Sequence, residues 1–115
     1  MRKMISQTRG DTRKYKFQRK NADGSVILNV PNKMFFTVKQ DFTDDKVLIQ
    51  KRLPDDFEID DEGFWHFIIE PEDTNDLNYG DYVFDVEVIT DGVKSTIAKG
   101  GFVIEPEVTF ADDED

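Results

Sequence analysis

The side chains of this sequence that could do chemistry are one histidine, a run of acids and a few glycine-bearing turns. His66 is the only histidine, and cysteine is absent. A zinc centre needs several convergent nitrogen or sulfur ligands, and an activated nucleophile needs a base and a group to orient it. His66 has neither a Ser nor a second His pattern beside it, so an exposed or edge position is expected. Asp55, Asp56, Glu58, Asp60, Asp61 and Glu62 could offer oxygens to calcium. Counted from Asp56, however, Asp61 stands where an EF-hand needs its turn glycine. Two readings stay open for that run, a solvated acidic loop and a weak cation site. Arg9-Gly10-Asp11 is the integrin-type tripeptide, but three residues carry little information and a glycine there equally suits a turn before a strand. Gly100-Gly101 lacks the spacing and the following helix of a phosphate loop. The acids are numerous, yet none pair in a way that suggests glycoside hydrolysis. The expectation is a chain with no catalytic, cofactor-binding or metal-ligating residues, no cofactor, and no enzymatic activity.

These residues sit in a chain of 115, the size of one domain, large enough to fold on packing alone. The absence of cysteine permits a reducing compartment without requiring one. The first residues are charged with no apolar run behind them, and nowhere do 18 uncharged apolar residues follow one another. Neither a signal peptide nor a membrane span is expected. The net charge of −10 repels nucleic-acid phosphate at long range. It is unevenly placed, with 13 basic and 5 acidic side chains in residues 1–52 and 2 and 20 in residues 53–115. Either strands of the two halves neutralise one another locally, or the domain has opposite poles that favour head-to-tail stacking.

The elements that must position everything are short alternating segments. Residues 12–20 put Tyr15 and Phe17 on one face and Lys14, Lys16 and Gln18 on the other, as a half-buried strand does. Asn21-Ala22-Asp23-Gly24 is a turn, followed by the apolar run Val26 to Val30, stopped at Pro31. Residues 34–40 turn Met34, Phe36 and Val38 inward. The next strand spans 46–52, with Val47 and Ile49 or Leu48 inward. The acidic loop 54–63 has Phe57 and Ile59 as its anchors, and in residues 64–70 Trp65, Phe67 and Ile69 share a face. Pro71 opens a helical turn, where proline in first position and acids behind it suit the helix start.

That turn leads into the stretch that organises the chain. Tyr82, Phe84, Val86 and Val88 alternate as one buried strand, entered through Leu77-x-x-Gly80-x-Tyr82. This spacing suggests a tyrosine corner, in which a hydroxyl at the start of a strand bonds to backbone upstream. Asp91-Gly92 marks a two-residue hairpin pairing Thr90 with Val93, Val86 with Ile97 and Glu87 with Thr96. A bulge at Gly100-Gly101 is then expected to shift the register so that Phe102 and Ile104 enter the core. About seven short strands result, with almost no helical periodicity. The fold class is all-β, an immunoglobulin-like antiparallel sandwich over residues 1–110, with residues 111–115 as a mobile acidic tail. Leu77, Gly80, Tyr82, Trp65 and Phe84 are its structural key.

Several of these residues together resemble a known family. Arg9-Gly10-Asp11-Thr12, Ala22-Asp23-Gly24 and Phe36-Thr37-Val38-Lys39 are similar to an immunoglobulin-like domain of phage tails. So are Pro71-Glu72-Asp73-Thr74, Leu77, Gly80, Tyr82 and Asp85, and Phe102, Ile104, Pro106, Val108 and Thr109. The family is the N-terminal domain of the baseplate upper protein of phages and prophages of Gram-positive bacteria, and the likeness runs from Arg9 to Thr109. It implies a virion component of the tail or baseplate, made in the bacterial host cytoplasm. Its partners would be other tail or baseplate proteins or copies of itself, with no nucleic acid and no membrane. Members of the family often continue into further domains, so this chain is either a small stand-alone tail or neck protein or one domain of something longer. The alternative is a module that binds or adheres to cell-surface carbohydrate through loops and exposed aromatics such as Phe42, Phe57 or Tyr79.

Overall fold

The computed structural model describes residues 3–106, so the expected acidic tail lies outside the described residues. In chain order the elements are β1 (Lys3–Thr8), β2 (Arg13–Gln18), β3 (Lys33–Lys39), β4 (Ile49–Arg52), β5 (Glu58–Ile59), β6 (Phe64–Ile69), α1 (Pro71–Thr74), β7 (Gly80–Thr90) and β8 (Val93–Glu105). They form two sheets, β1-β8-β7-β3-β4 and β2-β6-β5. The chain is an all-β sandwich, as the alternating segments require.

Alternation sets the register. In the antiparallel β3–β7 ladder Met34 lies opposite Val88, Phe36 opposite Val86 and Val38 opposite Phe84. All six are buried. A slip of one residue would turn that whole set to solvent, so the pairing is strongly specified. From the other sheet Trp65, Phe67 and Ile69 face the same core. The Phe36 and Phe67 rings join the two layers with centroids 4.6 Å apart, and Phe67 also stacks on Tyr15 at 5.4 Å. Burying one such ring contributes roughly 1.5–3 kcal/mol, so this cluster is a main source of stability in a chain without disulfides.

Four expectations are corrected. The first concerns β1, which is an unexpected strand. It pairs with β8 in parallel, Ile5 opposite Phe102 and Gln7 opposite Ile104, so the sandwich is not purely antiparallel; among the described residues it has eight strands. The second concerns the register of the hairpin. Glu87 does face Thr96, but the shift falls immediately after, so Val86 faces Ala98 and Ile97 is the extra residue. Phe102 and Ile104 are buried as expected, yet the bulge is at Ile97 and not at Gly100-Gly101. The early shift places two small residues, Ala98 and Gly100, opposite Val86 and Phe84, where the aromatic cluster needs room. Gly101 serves a different purpose. A Cβ there would stand 2.8 Å from Met4 Sδ, so its bareness admits the β1 side chain.

The third correction concerns residues 26–30, which make one bridge, Val26 to Lys20, and leave Leu28 and Val30 about 60% exposed. The last concerns β4, which begins at Ile49; Ile49 is buried, Leu48 packs beside the core and Val47 is exposed.

Candidate functional site

One end of the sandwich is closed by a polar knot. The helical turn α1 starts at Pro71, and the Asp73 carboxylate accepts the backbone N–H of Glu70 at 2.7 Å. Lys51 Nζ donates to the same Asp73 oxygen at 2.7 Å, which links the basic half of the chain to the acidic half. The chain then passes Leu77, whose side chain packs on the core, and Gly80, whose φ of 136° only glycine adopts readily. Tyr82 follows, nearly buried, and its hydroxyl donates to the Asn78 carbonyl at 2.7 Å. The corner expected from Leu77-x-x-Gly80-x-Tyr82 is therefore present.

Arg9-Gly10-Asp11 is the other strand of this knot. Gly10 has a φ of 85°, and its N–H donates to Oγ1 of the fully buried Thr74 at 2.9 Å. Arg9 donates to the Leu77 carbonyl at 3.4 Å and lies over the Tyr79 ring, 4.4 Å from its centroid. The tripeptide is a turn that fastens the β1–β2 connection to the corner. Next to it, Gln7 is fully buried; its amide donates to the Asp11 carbonyl at 3.1 Å and accepts the Tyr15 hydroxyl at 2.6 Å. Burial pushes the Tyr15 hydroxyl above its ordinary pKa, with Arg13 opposing. Gln7 was not legible as a site residue, because a polar side chain inside the core breaks the alternation that reveals a strand.

The remaining candidates have structural roles. Trp65 and Phe84 are buried core residues, and the indole N–H of Trp65 has no hydrogen-bond partner among the described residues. His66 is partly exposed, with Nε2 2.9 Å from Asp60 Oδ2. Asp60 also accepts the N–H groups of Glu62 and Phe64, and its carboxyl is held below the usual carboxylate range, chiefly by the His66 contact. Asp56 accepts the N–H of Arg52. The acidic run thus ties its own loop, and among the described residues no three His, Cys, Asp or Glu side chains converge as a metal set. Of the aromatics proposed as an exposed platform, Phe57 is only 4% exposed, because it anchors the loop against Trp65 and Phe67; Phe42 and Tyr79 are exposed.

The opposite side of the sandwich is open. Strand β1 pairs with β8 only over Gly100–Glu105, and among the described residues nothing pairs with Val93–Lys99 on the side away from β7. Val93 and Ile97 are exposed there. Between this edge and β2 runs a hollow of about 490 Å³ lined by Phe17, Ile27, Ile97 and Ala98 with Lys16, Arg19 and Lys20. An adjoining hollow of about 420 Å³ continues it toward Ile5 and Tyr15. The Arg19 guanidinium donates to the Asn29 carbonyl at 3.4 Å, and burial lowers its pKa. An unpaired strand edge beside an apolar groove can take up an extended segment through main-chain hydrogen bonds.

No family model matches the chain, and a search of curated proteins returns no match. Among the described residues no helix is long and apolar enough to cross a membrane.

Proposed function

We propose that this chain is a non-enzymatic structural module of a phage or prophage tail or baseplate, working through protein–protein contacts and residing in the virion. The observation that carries the reading is the edge of β8 at Val93–Lys99, unpaired among the described residues, with exposed apolar side chains beside a groove. Lys94, Lys99 and the bulge at Ile97 blunt this edge, yet Val93 and Ile97 keep apolar surface exposed along it, which suits a specific partner segment. The sequence resemblance from Arg9 to Thr109 supplies the setting. The knot at the other end supports it as well, since a scaffold that presents a surface must itself be rigid.

The carbohydrate alternative is weaker, because Phe57 is buried in the core, leaving Phe42 and Tyr79 as its exposed aromatics, each with a cation over its ring. Mass spectrometry of intact particles from the source tests the proposal. The chain should be found in fixed stoichiometry with tail proteins. Particles that lack it, or reproducible binding of the purified chain on a glycan array without any protein partner, would overturn the assignment.

A further inference from the structure

We propose that the open side of the sandwich is the seat for residues 107–115 of a second copy, so that copies join head to tail. This rests on the reading of the chain as an assembly module and names the surface it would use. The seat offers three things at once: the backbone of Val93–Lys99, unpaired on one side among the described residues, an apolar floor, and a basic rim. At that rim Arg19 has a backbone carbonyl 3.4 Å away and no carboxylate within ion-pair distance among the described residues. A partly desolvated guanidinium with only a long neutral acceptor favours a carboxylate brought from outside.

The chain itself carries the matching chemistry. In Glu107-Val108-Thr109-Phe110-Ala111 the apolar residues Val108 and Phe110 alternate with polar ones, and Asp112-Asp113-Glu114-Asp115 follows. An extended strand of this pattern sets Val108 and Phe110 on one face, toward the floor, while the acids meet Lys16, Arg19 and Lys20. The donor cannot be the same molecule. Strand β8 carries Pro106 some eight residues beyond Ala98, roughly 25 Å at strand rise, while Phe110 lies at most about 14 Å further along the chain from Pro106. Its apolar side chains therefore fall short of the floor beside Ile97 and Ala98 in their own molecule, and a second copy is needed to deliver them there. Such a contact joins two different surfaces, so it propagates into a ring or a filament.

Two full-length variants test this together, Arg19→Glu in the seat and Phe110→Asp in the donor segment. Sedimentation of the unaltered chain should show mass growing with concentration in steps of 13.4 kDa. Each variant alone should stay monomeric. Their equimolar mixture should stop at a dimer, since one intact seat and one intact segment remain. Ile97→Glu, at the exposed bulge, provides a second seat variant should Arg19→Glu melt at a lower temperature than the parent. A parent chain that stays monomeric up to about 1 mM, the weak end of specific association, overturns the proposal. So does oligomerisation of either variant at the parent's concentration. A monomeric chain that is nevertheless found in particles overturns this seat and leaves the assembly reading standing, whereas an oligomer absent from particles does the reverse.

Discussion

The two halves of the β8 edge make an instructive pair. Over Gly100–Glu105 the edge is covered by β1, whose Gln7 is joined to Tyr15 and Asp11, and nearby Gly10 is joined to Thr74 and Tyr82 to Asn78 by specific hydrogen bonds. Over Val93–Lys99 the same strand, paired with the same neighbour β7, has no second partner strand among the described residues. Backbone geometry is common to both halves. What differs is whether the chain satisfies its own polar groups, and that separates a region built for stability from one left available for contact.

Mutations can break or sharpen this contrast. The largest effect is expected from Gln7→Ala, which empties a buried volume and strips the Tyr15 hydroxyl and the Asp11 carbonyl of their partner. A loss of about 2–4 kcal/mol in urea unfolding is expected. Thr74→Val keeps the shape and removes only the acceptor for the Gly10 N–H, and should cost about 1–3 kcal/mol by the same measurement. Tyr82→Phe removes the hydroxyl that bonds Asn78, and a loss of about 1 kcal/mol is expected; unchanged stability would take the corner out of the account of the closed end. On the bare half, Val93→Ser should stay within about 0.5 kcal/mol of the parent. Losses of similar size at Gln7 and Val93 would erase the distinction between the halves.

The smallest effect belongs to the outer face of β7. The Asp85 carboxyl is raised above its ordinary pKa by partial burial and then by Glu87, with Lys39, Lys94 and Lys99 opposing. A carboxyl raised in the folded state binds its proton more tightly there than in the unfolded chain. Its contribution to stability is therefore greatest at low pH and declines as pH rises from the unfolded value of 3.8 through the higher folded one. Asp85→Asn should flatten that part of the pH–stability profile. An unaltered profile would show that the lysines cancel the effect.

Much of this fold was legible in the sequence because alternation is a local property. Met34, Phe36 and Val38, or Tyr82 through Val88, announce their inner face without reference to any other segment. The corner could also be read, down to a tyrosine hydroxyl bonding upstream backbone. Strand β1 could not: Met4 is exposed, Gln7 is buried, and the strand exists because of a parallel partner far along the chain. The bulge was expected at the glycines, which are the usual conformational suspects. It falls at Ile97 because the aromatic cluster, assembled from β2, β3, β6 and β7, decides where small residues must face it. The open side was hidden for a related reason. Whether Val93–Lys99 is paired on its outer side depends on a strand far away in the chain, and no pattern within those seven residues records that.

Trp65 has a practical consequence. It is the chain's only tryptophan, and its indole sits in the core with its N–H buried and without an acceptor among the described residues. Its fluorescence in the folded protein should accordingly lie toward short wavelengths and move to longer ones as the two sheets part. The protein thus carries a built-in optical gauge of its own integrity. Each stability comparison above can be read from that single colour change, without a label.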